Sequence, residues 1–406
     1  VDSAVNVMGI NFEEGSGTVT LGDSGGSLNL TGAMIDVAGG VTGSIEADVT
    51  GNTGFNKTGG GTLNLSGSNG FTGGNAAVAG GTLNVTGGSI SGVLDLVVAQ
   101  NTSAAYNQTG GTVTANNNIE MANGAGGNAT ATLSNGSLTA GNRLIVGGAG
   151  GTANFTQSGG SLTTNTTSGT GPTGEWSFIG VGGGSSGTYN ITGGSLDTSA
   201  GTLLAIGQAG GTGVLNQDTS TGASTVTTRE LWIGWNGGSN GAYNLTDGTL
   251  NVNDRLGIGR DGGTGLFNQD GGTVNVAGTT FVASGGGTTS GTLDISGGVF
   301  NANNNVLIGD GVGKTGTLNI SGGTLNQINN DFIVGFDGGT GTVNQTGGTV
   351  NTNWANSGSG DPLPNNWTFI GRDSGSVGTY NISGGTLDAD NSTLVAIGQN
   401  GGTGTL

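Results

Sequence analysis

Cysteine and histidine are both absent from the 406 residues, and there are only three prolines. Without cysteine there is no disulfide framework and no thiolate site. Without histidine the commonest general base and the commonest zinc ligand are missing together. Basic residues are scarce as well: seven Lys and Arg stand against 25 Asp and Glu, for a net charge of −18. A surface of that sign repels phosphate backbones and anionic lipid, so neither nucleic acid nor a membrane surface is an expected partner. No run approaches the roughly 20 apolar residues of a membrane-spanning helix, which argues against membrane insertion. The sequence opens at Val1 with no signal peptide, as expected of a processed secreted protein or an excised segment.

What the chain has in abundance is glycine, 95 residues of it. Such a composition borders on that of disordered low-complexity chains. Disorder is nevertheless the weaker reading, because the apolar residues recur periodically instead of being depleted. From about residue 94 a unit repeats, clearest as VLIGDGVGKTGTLNISGGTLNQINN over 306–330. Its "IG" glycine returns at Gly207, Gly234, Gly259, Gly309, Gly335, Gly371 and Gly398, with a degenerate copy at Ser284. The spacings are 27, 25, 25, 25, 26, 36 and 27 residues. A fixed period in the twenties indicates a solenoid.

Within the unit the apolar period is 2, so Leu318 and Ile320 should point inward and Thr317, Asn319 and Ser321 outward, with Leu325 inward on the next strand. The Gly322-Gly323 pair turns the chain, and asparagines cluster at another corner: Asn116 to Asn118, Asn303 to Asn305, and Asn329-Asn330. Asparagine tolerates the left-handed conformation, and stacked amides can form ladders. The expected fold is all-β: a right-handed parallel β-helix, or β-solenoid, of about 25 residues and three short strands per turn, with turns about 4.8 Å apart. One position alternates glutamine with aliphatics: Gln108, Leu133, Gln157, Ile191, Gln217, Leu245, Gln269, Ile295, Ile320, Gln345, Ile382. It reads as an inward column, although a solvated corner would also suit it. An inward glutamine without partners costs about 1–3 kcal/mol.

Two regions follow: an N-terminal strand-repeat part over 1–93, and regular turns over 94–406 with insertions near 165–175 and 351–366. The segment from Trp176 (WSFIGVGGGSSGTYNITGGSLD) matches that from Trp367 (WTFIGRDSGSVGTYNISGGTLD) at an offset of 191 residues, each copy after an insertion. All three prolines, Pro172, Pro362 and Pro364, lie in those insertions. Proline interrupts a ladder but suits a projecting loop. Pro172, Trp176, Trp354, Pro362, Pro364 and Trp367 are therefore the candidate assembly or contact residues, as insertions in repeats map to functional faces. Neutral loop growth before a duplication is the plainer explanation.

Residues 53–85, TGFNKTGGGTLNLSGSNGFTGGNAAVAGGTLNV, resemble the autotransporter-associated β-strand repeat. Lys57, Gly59, Gly61, Thr62, Leu63, Leu65, Gly67, Asn69, Thr72, Gly73 and Gly74 fit its pattern, while Phe55 and Phe71 replace a customary leucine and tyrosine. The resemblance covers the first fifth of the chain. It implies a right-handed β-solenoid at the bacterial cell surface, extracellular, acting as an adhesin or matrix protein.

Enzymes built on β-helices need clustered acids with a basic residue, or a calcium cluster. Here Lys57, Arg143, Arg229, Arg255, Arg260, Lys314 and Arg372 are scattered. Aligning Gly234 with Gly259 sets Arg229 beside Asp254 and Glu230 beside Arg255, an exchange of opposite charges between neighbouring turns that cross-strand pairing favours. Calcium is the one cofactor the residues leave open, at Asp261, Asp310, Asp337 and Asp373; turn formation accounts for these aspartates more simply. The sequons at Asn190, Asn319 and Asn381 follow from the repeat itself. Trp176, Trp232, Trp235, Trp354 and Trp367 suit strand-edge packing better than sugar stacking. The expectation is a non-enzymatic extracellular structural protein without cofactor, a building block of a surface filament or biofilm matrix that self-associates end to end or laterally. An adhesin stalk presenting a separate tip is the alternative, and a glycan-binding or glycan-active β-helix ranks below both.

Overall fold

A computed structural model describes residues 1, 3–15, 17–164, 176–352, 367–390 and 394–406. Every regular element among them is a β-strand. One turn shows how the repeat builds it. Lys314–Ile320, Thr324–Gln327 and Phe332–Phe336 form three short strands, and each pairs in parallel with its counterpart in the next turn. In the first column Leu293 faces Leu318, which faces Val343. In the second Phe300 faces Leu325 and then Val350. In the third Leu307 faces Ile333 and then Phe369. This is the parallel β-solenoid that the 25-residue period predicts.

Period-2 alternation sorts the side chains as expected. Leu318, Ile320 and Leu325 are buried, Thr317 and Asn319 are half-buried on the outer side, and Ser321 is exposed. A one-residue slip would turn every apolar side chain outward, so the pattern sets the register. The recurring glycines have a specific cause. Gly309, the "IG" glycine, has φ 73°, and a Cβ there would lie 2.1 Å from the Thr340 carbonyl oxygen. Gly316 of the following strand is its counterpart, since a Cβ on it would sit 2.3 Å from the Gly309 nitrogen. The third column closes against the first only because both lack a side chain.

The chain divides into two compact units, residues Val1–Thr202 with Ser220–Gly222, and Leu203–Thr219 with Ala223–Leu406. Each is a parallel solenoid, and together they carry about 15 turns. The change of repeat style near residue 93 falls inside the first unit as a change of turn length. Asn84 bonds Asn64, 20 residues earlier, whereas Thr132 bonds Asn107, 25 residues earlier. Both long insertions leave between a second-column and a third-column strand: after Ser161–Thr163 in one unit and after Thr349–Thr352 in the other. The second insertion thus begins beyond Thr352 and not at Asn351. First-column register holds across each of them, Phe155 facing Tyr189 and Val343 facing Tyr380.

Candidate functional site

The alternating column is inward. Gln108, Gln157, Gln217, Gln269 and Gln345 are all at most 1% exposed. Burying an amide is tolerable only when its hydrogen bonds are made. In each the amide nitrogen donates to backbone carbonyls, as from Gln157 Nε2 to the Gly160 oxygen at 3.1 Å and the Ser195 oxygen at 3.0 Å. The carbonyl end needs a donor, and tyrosine supplies it. Tyr189 donates to Gln157 Oε1 at 2.6 Å, Tyr243 to Gln217 Oε1, Tyr380 to Gln345 Oε1 at 2.7 Å, and Tyr106 to Gln108 Oε1 at 2.8 Å. Three of these tyrosines come from the turn that follows their glutamine, and the fourth from the same strand. Burial pushes all four phenols well above their ordinary pKa. Gln269 differs: Leu293 occupies the place where tyrosine would reach it, and Gln269 Oε1 has no partner.

The outer faces carry amide ladders. On the first column Asn84 donates to Asn64, Asn107 to Asn84, Asn268 to Asn244, Asn344 to Asn319 and Asn381 to Asn344, at 2.7–2.9 Å. On the second, Asn275 donates to Asn251, Asn301 to Asn275, Asn326 to Asn301 and Asn351 to Asn326. The asparagine corner adds shorter runs, Asn329 to Asn303 and Asn330 to Asn304. The main ladders thus stand on the strands, where the outward asparagines read only as sequons. Asn190, Asn319 and Asn381 have their side-chain amides engaged in this way.

Two buried lysines tie carbonyls together at the ends of single strands. Lys57 Nζ donates to the carbonyls of Thr58, Gly59 and Gly80 at 2.8–3.0 Å. Burial lowers its pKa to about 8, with Asp36 working against the shift. Lys314 does similar work on Gly287 and Val312. Asn69 joins Val49, Gly67 and Ser89. Phe55 packs on Phe71 with ring centroids 5.4 Å apart. The signature residues of the first fifth are therefore structural ties.

The charge exchange has its register but not its ion pairs. Backbone bonds run from Asp254 N to the Arg229 oxygen and from Leu231 N to the Arg255 oxygen, which sets the two turns side by side. The contact that forms joins Arg255 to Asp254 of its own turn, at 4.0 Å between exposed side chains. Glu230 instead accepts from Trp232 Nε1 at 2.9 Å. The indole belongs to the same strand two residues on and reaches the carboxylate directly. Trp232 also carries the Arg260 guanidinium, 3.9 Å above its ring, and Trp235 donates to Asp261 Oδ2.

Of the candidate contact residues, Pro172, Trp354, Pro362 and Pro364 lie outside the described residues. Trp176 and Trp367 are the half-buried first residues of third-column strands, set edge-on against Phe178 and Phe369. Arg372 ties that second site together, hydrogen-bonding Asp331 at 3.1 Å and forming an ion pair with Asp373 at 3.5 Å while lying over Phe369. Asp331 also accepts from the backbone of Trp367 at 3.0 Å.

The turn aspartates occupy different places. Asp261, Asp337 and Asp373 sit two residues after the "IG" glycine with positive φ, a position that Ala149, Ala209 and Asn236 fill elsewhere. Asp310 sits one residue after Gly309, and Gly311 takes the left-handed position in that turn. Asp261 accepts from Gly286, Trp235 and Arg260. Among the described residues no three acidic side chains gather to hold a metal. Neither a family model, nor a curated protein, nor a solved structure matches the chain, so its likeness to the autotransporter-associated repeat rests on the residues quoted for it.

Proposed function

We propose that this chain is an extracellular structural protein of the bacterial surface, a non-enzymatic, cofactor-free solenoid that builds a filament or matrix by self-association. The observation that carries this reading is the use of its polar side chains. Inside, glutamine, tyrosine and lysine are spent on closing the stack; outside, the amides run along it as ladders. Side chains so occupied reinforce the stacking of turns and leave little for acid–base chemistry.

Electron microscopy with light scattering on the naturally produced protein tests the reading. Elongated particles that lengthen with concentration are expected. Compact particles of one chain at every concentration would overturn the assembly role, and complete protection from protease added to intact cells would overturn the location. Adding calcium or a chelator should leave the melting temperature unchanged.

A further inference from the structure

We propose that the outer side of the second column, where the chain turns toward the third, is a groove that binds a neutral, linear glycan. Both units have a cavity at this place. In the second it measures about 540 Å³ and is bordered by Asn251, Asn275 and Asn301 on the strands, with Ala277, Asn303 and Ile328 at the corner. In the first it measures about 440 Å³, bordered by Asn29 and Thr50 on the strands and by Asn52 and Thr72 at the corner. The positions correspond. Asn29 pairs with Thr50 in one register, and Asn251 with Asn275 and then Asn301 in the other. Stretches of unlike turn length, one in each unit, have arrived at the same groove, and both volumes lie in the range of small-molecule sites.

The lining selects the ligand class. Not one residue bordering either cavity is charged, in a chain of net charge −18. A charged ligand would lose hydration here without gaining an ion pair, and a polyanion would be repelled by the surrounding field. Amide groups suit hydroxyls, because they donate and accept. Asn275 donates one N–H to Asn251 and accepts from Asn301, which leaves its second N–H and second lone pair outside the ladder. Ala277 and Ile328 add small apolar surface for the faces of sugar rings. Since the amides repeat from turn to turn, about 4.8 Å apart, a polymer lying along the stack meets the same contacts again at each turn. A linear glycan should therefore bind more tightly as it lengthens.

This inference goes beyond the structural role, which stands if it fails. The test titrates the intact chain with neutral gluco- and xylo-oligosaccharides of two to eight units, an oligogalacturonate and a neutral extended peptide, followed by calorimetry. Saturable binding of a neutral oligosaccharide, tightening with length, is expected. Ala277→Trp, at an exposed corner position, should weaken it at least tenfold with the melting temperature unchanged. Asn303→Trp gives the same reading should the first variant fold poorly. Silence from every neutral oligosaccharide, binding confined to the acidic probe or the peptide, or equal binding by a folded groove-filled variant would each overturn the proposal.

Discussion

At Gln157, in the first unit, a buried amide is closed on every side: two carbonyls take its N–H groups and Tyr189 gives its hydroxyl to the oxygen at 2.6 Å. At Gln269, in the second unit, the nitrogen finds the Gly272 and Val299 carbonyls at 3.4 and 3.1 Å, and the oxygen finds nothing. Both glutamines occupy the same place in the same repeat, each with an aliphatic residue facing it in the next turn. The difference lies two residues away, in Tyr189 against Leu293. Polar residues inside a solenoid are therefore satisfied across turns, and a single apolar choice in the neighbouring turn undoes the arrangement.

The largest consequence is in alkali. The chain has four tyrosines, and all of them are buried donors to glutamine. Their folded pKa values are raised by burial, so above about pH 10 the unfolded chain sheds phenolic protons that the folded chain keeps. Stability from this source is intact below pH 10 and falls as pH climbs beyond it. Two tyrosines lie in each unit, so each unit should lose about 3 kcal/mol per pH unit there. Lys57 runs the other way: its folded pKa near 8 lies below the ordinary 10.5, so the first unit gains stability between those values before the tyrosines take over. Tyrosinate absorbance should rise only together with loss of the strand signal in circular dichroism. Ionisation near pH 10 with the strands intact would break the account.

Next in size is the closed site itself. Tyr189→Phe leaves Gln157 Oε1 in the condition of Gln269 Oε1, and Gln157→Leu strands the tyrosine hydroxyl. Each should cost about 2–3 kcal/mol by denaturant melting. The double variant should cost less than the two losses added, because the groups act as a pair. Strict additivity would mean that the 2.6 Å bond carries no coupling.

How far could the residues alone lead here? The turn length, the three columns, the inward set at Leu318, Ile320 and Leu325, and the glutamine column were all readable, because each depends on local period and spacing. The tyrosine partners were not, although Tyr189, Tyr243 and Tyr380 stand on inward positions. Recognising them requires cross-turn register, and insertions stretch two of those turns, placing Tyr189 32 residues and Tyr380 35 residues after their glutamines. A signal was present: a turn with inward glutamine is followed by one reading "YN" after Gln157, Gln217 and Gln345, and after neither Gln269 nor Gln108, whose donor Tyr106 stands on its own strand. The charge exchange failed for the opposite reason. Register was legible, but the choice Glu230 makes between Arg255 and Trp232 is decided by side-chain geometry that spacing does not encode.

A smaller effect would come from repairing the open site. Leu293 lies between Phe267 and Leu318 in its column, and a tyrosine already stacks on Phe267 from the other side with centroids 5.0 Å apart. Leu293→Tyr and Leu293→Phe both add volume to a packed core and should both destabilise by about 1–3 kcal/mol. Their difference isolates the hydroxyl. Tyrosine should melt higher than phenylalanine by about 1 kcal/mol, the worth of one hydrogen bond to Gln269 Oε1. At Leu318, above Ile295 rather than a glutamine, the same pair of variants should show no such advantage for tyrosine.

The smallest effect is expected from removing the unsatisfied amide altogether. Gln269→Leu deletes an oxygen whose burial without a donor costs about 1–3 kcal/mol, and also deletes two N–H donations, one of them at 3.4 Å. These terms oppose each other. The carbonyls lose little: the Gly272 oxygen borders a solvated turn, and leucine fills a site whose column neighbours, Leu245 and Ile295, are already aliphatic. The net change should lie within about 1 kcal/mol of zero, whereas Gln157→Leu costs about 2–3 kcal/mol. Denaturant melts of the two variants, each read on its own unit, provide the measurement. Equal losses would mean that the carbonyl contacts of the amide nitrogen, and not the tyrosine bond, hold these glutamines in the core.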